Sequence, residues 1–304
     1  MSKSGPPGRP WKVFLDGRIV PAASARVSAF DRGFLFGDGC YETFRTYGDR
    51  PFRLREHLVR LRGSVSRLGF RGVAGTGALA RAVGKLIRAN LLRDARVRIV
   101  VSRGPGWPEL RHLRTRKSTV LVYGFPYNPP STAALRDGVR VIMGRTVRND
   151  ARSVDHCIKS TSQLNSLLAR LEADRAGAYE EVMVNPQGFL AEAVAANVFF
   201  VRRGVLFTPA LGAGLLPGIT RSLVLSLARK LGIRVREGFF RPAALMSADE
   251  AFITSSTAEI VPVARAGKRR YPAAKPVTRA LQGAYARAVA RETGGISPWC
   301  RAFA

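Results

Sequence analysis

The run Phe125-Pro-Tyr-Asn-Pro-Pro130 places three prolines in six residues. Each lacks an N–H and fixes φ, so neither a helix nor a central strand passes through such a run. It divides a chain of 304 residues into two parts, each long enough to bury a modest core of its own. Both parts mix short alternating apolar runs with longer stretches of helical spacing. The fold class expected is therefore α+β or α/β in two domains. The division expected is a disordered lead-in over 1–10, a small α/β domain over 11–125, a linker over 126–137, a larger domain with a mostly β core flanked by helices over 138–290, and a tail over 291–304.

In the first part, Trp11-Lys-Val-Phe-Leu-Asp-Gly-Arg-Ile-Val20 alternates around Asp16-Gly17, a strong hairpin signal. Residues 56–68 carry Leu58, Leu61, Val65 and Leu68 at helical spacing, and 78–92 form a second helical candidate. Segments 97–102 and 119–123 read as strands of one sheet. In the second part, strands are expected at 139–143, 181–184, 197–201, 205–207 and 251–254. Helices are expected at 160–176 and at 219–231, the latter ended by Gly232.

Composition removes several function classes. Lys plus Arg is 50 against 21 Asp plus Glu, a formal net charge of +29. The basic residues are scattered along the whole chain, and all but eight are Arg. That pattern suits a compositional bias better than a nucleic-acid footprint; weak, nonspecific polyanion binding at low salt is all it implies. Cys40, Cys157 and Cys300 are odd in number and have no Cys-x-x-Cys spacing, which speaks against a disulfide framework or a metal site. No run approaches the roughly 20 apolar residues of a membrane span. The first ten residues lack the apolar core of a secretory signal. A cytoplasmic protein is expected.

Four segments suggest a particular chemistry. A phosphate-bearing aldehyde cofactor needs a lysine for an imine, a carboxylate to hold the pyridine nitrogen protonated, and a cradle of N–H groups for the phosphate. Lys159 follows a loop, in His156-Cys-Ile-Lys-Ser160, at the start of an expected helix. Arg cannot form an imine, so a lysine retained in an Arg-rich chain fits that need. Glu192 is a lone acid in the apolar run Phe189-Leu-Ala-Glu-Ala-Val-Ala-Ala-Asn-Val-Phe199, between two expected strands, and a buried acid needs a partner. Leu216-Pro-Gly-Ile-Thr-Arg221 opens a helix, where free N–H groups bind anions. Thr254-Ser-Ser-Thr-Ala-Glu259 follows a strand and offers further hydroxyls and amides. Taken singly, these are an ordinary surface lysine, a turn glutamate and two caps.

Taken together, and with Asp31-Arg-Gly-Phe-Leu-Phe-Gly-Asp-Gly-Cys-Tyr-Glu-Thr43 and Glu56-His-Leu-Val-Arg-Leu61, they give the chain a resemblance. Over about 13–263 it resembles the class IV (fold type IV) pyridoxal-phosphate aminotransferases, the group of branched-chain and D-amino-acid aminotransferases and aminodeoxychorismate lyases. The resemblance implies pyridoxal 5'-phosphate, with Lys159 as the Schiff-base lysine that also moves the substrate proton. It implies Glu192 on the pyridine nitrogen, and Arg60, Ile219, Thr220, Ser256 and Thr257 around the phosphate. It puts Arg152 near the cofactor's phenolic oxygen. Tyr41, Thr43 and Ala258 would face the substrate. It also implies a homodimer with its active sites at the subunit interface, and an amino acid or amine and a 2-keto acid as substrates.

Departures bear on the subfamily. Branched-chain enzymes usually carry a Tyr four or five residues after the lysine, where this chain has Gln163-Leu164. Phe36 also replaces a tyrosine common in that group. The 31–42 stretch and Arg152 look more like the D-amino-acid enzymes. Those carry an Arg-x-His pair for the substrate carboxylate, matched loosely here by Arg103 and, in a longer loop, Arg111 and His112. Thr43 and Ala195-Ala-Asn197 are similar to the lyases. A transaminase is the first expectation and aminodeoxychorismate lyase the second; a non-catalytic polyanion binder is the alternative from another class.

Overall fold

The computed structural model describes residues 10–302; the lead-in expected over 1–10 falls almost entirely outside them, as do the last two residues. The chain forms two compact units. One comprises residues 1–128 and 158–163, the other 129–157 and 164–304. The boundary falls within the proline run, and the segment around Lys159 belongs with the first unit.

The first unit contains β1 (Lys12–Leu15), β2 (Arg18–Pro21), α1 (Arg32–Phe36), β3 (Gly39–Tyr47), β4 (Arg50–Pro51), α2 (Leu54–Arg67), α3 (Thr76–Ala89), β5 (Ala95–Ser102) and β6 (Thr119–Pro126). The strands form one antiparallel sheet in the order β2-β1-β6-β5-β3-β4. Asp16 and Gly17 form the expected two-residue turn, with Leu15 opposite Arg18. Both have positive φ, 46° and 102°, as the favoured hairpin turn requires. Leu58, Leu61 and Val65 of α2 and Leu79, Val83 and Leu86 of α3 pack with Phe44, Val97, Ile99 and Val122 of the sheet into one core.

The second unit contains α4 (Thr132–Arg136), β7 (Val139–Met143), α5 (Leu164–Arg175), β8 (Glu180–Val184), β9 (Leu190–Ala193), β10 (Asn197–Arg202), β11 (Val205–Pro209), α6 (Ile219–Lys230), β12 (Val235–Gly238), α7 (Pro242–Met246), β13 (Glu250–Ser255), β14 (Glu259–Ala266), β15 (Arg269–Arg270), α8 (Pro276–Thr293) and α9 (Pro298–Ala302). Its sheet runs β12-β11-β10-β13-β14-β7-β8-β9 and is mixed: β11–β12, β14–β7 and β7–β8 are parallel.

Some expectations are corrected. The helix expected at 160–176 begins only at Leu164. Before it, 158–163 is tied to β3: Ser160 bridges Cys40, and Thr161 N–H donates to the Gly39 carbonyl at 2.9 Å. Non-local backbone pairing wins over helix propensity there. β6 continues to Pro126 and α4 lies within the stretch read as linker; α8 and α9 occupy part of the stretch read as tail. Among the described residues no helix is long and apolar enough to cross a membrane.

Candidate active site

The residues singled out from the sequence fall into two groups, one in each unit.

In the first unit, pairing of the 158–163 segment with β3 sets Lys159 beside Tyr41. The Tyr41 N–H donates to the Lys159 carbonyl at 2.9 Å, and the Lys159 N–H to Ser64 Oγ at 3.2 Å. Lys159 Nζ lies 4.7 Å from the centroid of the Tyr41 ring. Arg98, on β5 opposite Thr43, lies 4.2 Å from the same ring and donates from Nε to Thr43 Oγ1 at 3.0 Å. Tyr41 thus makes cation–ring contacts with side chains from two different segments.

Arg60, on α2, donates from Nε and Nη2 to the two oxygens of Glu42 at 2.7 and 2.8 Å. His57 Nδ1 lies 2.6 Å from Glu42 Oε2. Burial lowers the His57 pKa, aided by the charges of Arg60 and Lys159 and opposed by Glu42. The neutral imidazole with its proton on Nδ1 therefore donates to the carboxylate.

Arg103 is committed elsewhere: its guanidinium grips Asp38 at 2.6 and 3.1 Å and donates to the Leu68 carbonyl at 3.0 Å. Arg111 is 75% exposed against Glu109, and the His112 ring is half exposed. What shapes their loop is Arg32, buried in α1. It donates from Nη1 to the carbonyls of Trp107, Glu109 and His112 at 3.2, 2.9 and 3.1 Å.

In the second unit, Glu192 sits on β9, on a strand rather than between strands, and is 7% exposed. Arg148 Nη2 is 2.8 Å from its Oε1, and the Leu216 N–H donates to Oε2 at 3.1 Å. Asn197 Nδ2 bridges Glu192 Oε2, at 3.4 Å, and the Leu216 carbonyl, at 3.0 Å. Leu216 leads directly into α6. The N-cap of α6 is Gly218, no side chain caps it, and no acid lies in its first turn. The helix therefore opens at Ile219 and Thr220 with neither a capping side chain nor an acid, the kind of helix start that suits an anion. A Cβ on Gly218 would overlap Asn197 Oδ1, so glycine is needed for this frame to close. Ser256, Thr257 and Ala258 form the turn between β13 and β14, with the Ala258 N–H on Ser255 Oγ at 3.1 Å.

Arg152 is 86% exposed and paired with Asp150. The arginine that meets Glu192 is Arg148, which the sequence reading missed. Arg148 also lies 3.2 Å from His156 Nδ1, while His156 Nε2 lies 2.9 Å from the Asn149 carbonyl. Burial and the Arg148 charge lower the His156 pKa, so the neutral ring carries its proton on Nε2. Arg98 and Glu42 were missed as well. For Glu42 a signal existed: it shares the inward phase of β3 with Cys40, Phe44 and Thr46.

Known proteins are similar to this chain in sequence and fold. The family described as amino-transferase class IV matches residues 39–266. A Methanocaldococcus jannaschii protein, provisionally named a branched-chain-amino-acid aminotransferase, is 38% identical over 83% of this chain and 86% of its own. The aminodeoxychorismate lyase of Bacillus subtilis is 30% identical over 90% and 93%, and the D-alanine aminotransferase of Bacillus licheniformis 30% over 93% and 98%. A solved branched-chain amino acid aminotransferase from T.th., complexed with N-(5'-phosphopyridoxyl)-L-glutamate, superposes with a TM-score of 0.86 at 28% identity, covering 96% of this chain and 97% of that one.

Proposed function

The chain belongs to the class IV aminotransferase family of pyridoxal-phosphate enzymes, and we propose that it is a transaminase in which Lys159 carries the cofactor and moves the substrate proton. When bound, pyridoxal phosphate supplies an electron sink that stabilises charge at the substrate Cα. The chain's own residues do the rest. Lys159 Nζ takes the Cα proton and returns it, acting as the acid and base. Glu192 accepts the ring N–H and so keeps the sink protonated. The amides of Ile219 and Thr220, the turn at Ser256 and Thr257, and Arg60 hold the phosphate. Tyr41, Thr43 and Ala258 flank the substrate, and Arg98 orients the first two.

One observation carries this reading. Glu192 and the uncapped start of α6 belong to a single hydrogen-bonded frame, tied by Asn197 and the Leu216 N–H. A ligand with an anionic group at one end and a ring N–H at the other suits that frame. The residues therefore fit the cofactor.

Lysis of aminodeoxychorismate is the second reading, favoured by the Arg98–Thr43 contact and by the Bacillus subtilis relative. Arg103 is tied to Asp38, so we assign the substrate carboxylate to neither Arg103 nor the exposed Arg111 and His112. The odd number of cysteines suits a reducing, cytoplasmic setting. A homodimer is supported by α5, which is built inside out. It buries Ser166, Ala169 and Ala173 and exposes Leu164, Leu167, Leu168 and Leu171 by 48–69%.

Borohydride treatment of the protein loaded with pyridoxal phosphate should fix the cofactor to Lys159, as read by peptide mapping, and attachment to another lysine would end the assignment. Keto-acid formation from a panel of L- and D-amino acids and amines with 2-oxoglutarate or pyruvate should separate transamination from pyruvate release by aminodeoxychorismate.

A further inference from the structure

Glu42 is wholly buried on β3, yet it is not used in any chemistry described so far. Its carboxylate is the meeting point of two side chains three residues apart on α2, His57 and Arg60. Burial on its own would raise this carboxyl; the Arg60 guanidinium, with help from His57, outweighs it and holds the pKa at about 2. The carboxylate is therefore charged at every working pH. An acid placed directly behind an arginine cancels part of the attraction that the arginine offers to an anion. Its benefit has to be geometric. A long side chain has many rotamers, and a two-point contact on one edge of the planar guanidinium fixes where the other edge points.

We propose that Glu42 is a positioning residue for Arg60: its two-point grip on Nε and Nη2 fixes the direction in which the guanidinium faces the phosphate of the cofactor, while His57 anchors the carboxylate. This rests on the assignment of Arg60 to the phosphate made above.

The test compares pyridoxal phosphate with pyridoxal, which can react with the same lysine but has no phosphate. Dissociation constants for both are measured on the full-length chain after cofactor removal, together with Tm. Arg60→Lys should weaken pyridoxal phosphate and leave pyridoxal unchanged. Glu42→Gln should shift the ratio of the two constants in the same direction, by about tenfold, and the double variant should be no worse than Arg60→Lys alone, because coupled residues are not additive. If Arg60→Lys leaves the ratio at the wild-type value, the phosphate assignment falls and this inference with it. If Arg60→Lys changes the ratio but Glu42→Gln lowers only Tm, or weakens both ligands equally, Arg60 stands and the positioning role is overturned. Should Glu42→Gln fail to fold, Glu42→Asp decides. It keeps the charge but withdraws it by one methylene, so the same shift supports the proposal and an unchanged ratio refutes it.

Discussion

Glu42 in the first unit and Glu181 in the second are both strand glutamates with no exposed surface, and they end in opposite states. Glu42 receives donors from Arg60 and His57, and its pKa falls to about 2. Neither oxygen of Glu181 has a hydrogen-bond partner among the described residues. Its carboxyl lies against the backbone of Gly144, where a Cβ would overlap it. Burial, with the Glu172 charge adding to it, pushes its pKa up to about 7. Neither residue has exposed surface, so the partners decide the charge. Glu192 resembles Glu42 rather than Glu181: it is buried, but paired with Arg148 and a backbone N–H. A buried acid with fixed donors can serve a site, and one without them is a cost to the fold.

The sharpest way to break this contrast is Glu192→Gln. If Glu192 holds a cofactor proton, the half-reaction should slow by roughly a thousandfold or more, with the cofactor still attached and the fold retained. Rapid-mixing measurement of the half-reaction, paired with Tm, checks it. A rate near wild type in a less stable protein would reduce Glu192 to a structural acid.

The contrast also shows what could be read from sequence. The Asp16-Gly17 turn, α2, α3 and the Gly232 helix end were legible because each follows from local spacing or local φ. Lys159 and Glu192 stand out in the sequence through segments whose types and order form a recognisable set. The partners do not. Glu42 meets residues 15 and 18 positions away, and only the inward phase of β3 hinted that it was buried. The resemblance implied Arg152 at the cofactor and did not point to Arg148. A loop places either residue equally well until Asn197, His156 and Leu216 are in position around Glu192. The start of α5 was misjudged because 158–163 pairs with residues more than a hundred positions earlier, and the sheet order of the second unit depends on parallel pairs such as β14–β7.

A smaller effect is expected at α5, which packs over β8 and carries Glu172 beside Glu181. In the homodimer proposed above, its exposed leucines would form the contact between two copies. Leu167→Glu combined with Leu171→Glu would bury charge in that contact, so the dimer should dissociate at least roughly tenfold more readily. Both positions are about half exposed within one chain, so the subunit fold should survive. Light scattering across a concentration series reads the result, and an undiminished dimer would move the interface elsewhere.

The smallest effect concerns Glu181 itself. Its carboxyl titrates near 7 in the folded chain against an ordinary value of 4.5. Below 4.5 both states hold the proton and the difference vanishes. As the pH rises, the unfolded chain releases its proton first, so the folded state loses stability up to about pH 7 and stays at that level above it. Glu181→Met removes the group at similar size and leaves nothing to titrate. The variant should therefore be more stable than wild type at about pH 8, by about 1–3 kcal/mol for an unsatisfied buried group, with a smaller gain at about pH 5. Glu180, pushed up to about 7 chiefly by burial, contributes a slope of the same sign to both proteins and cancels in the difference. Denaturant melts at the two pH values give that difference directly. A gain that is absent, or equal at both, would mean that Glu181 has a partner in solution and that the two buried glutamates are more alike than their surroundings indicate.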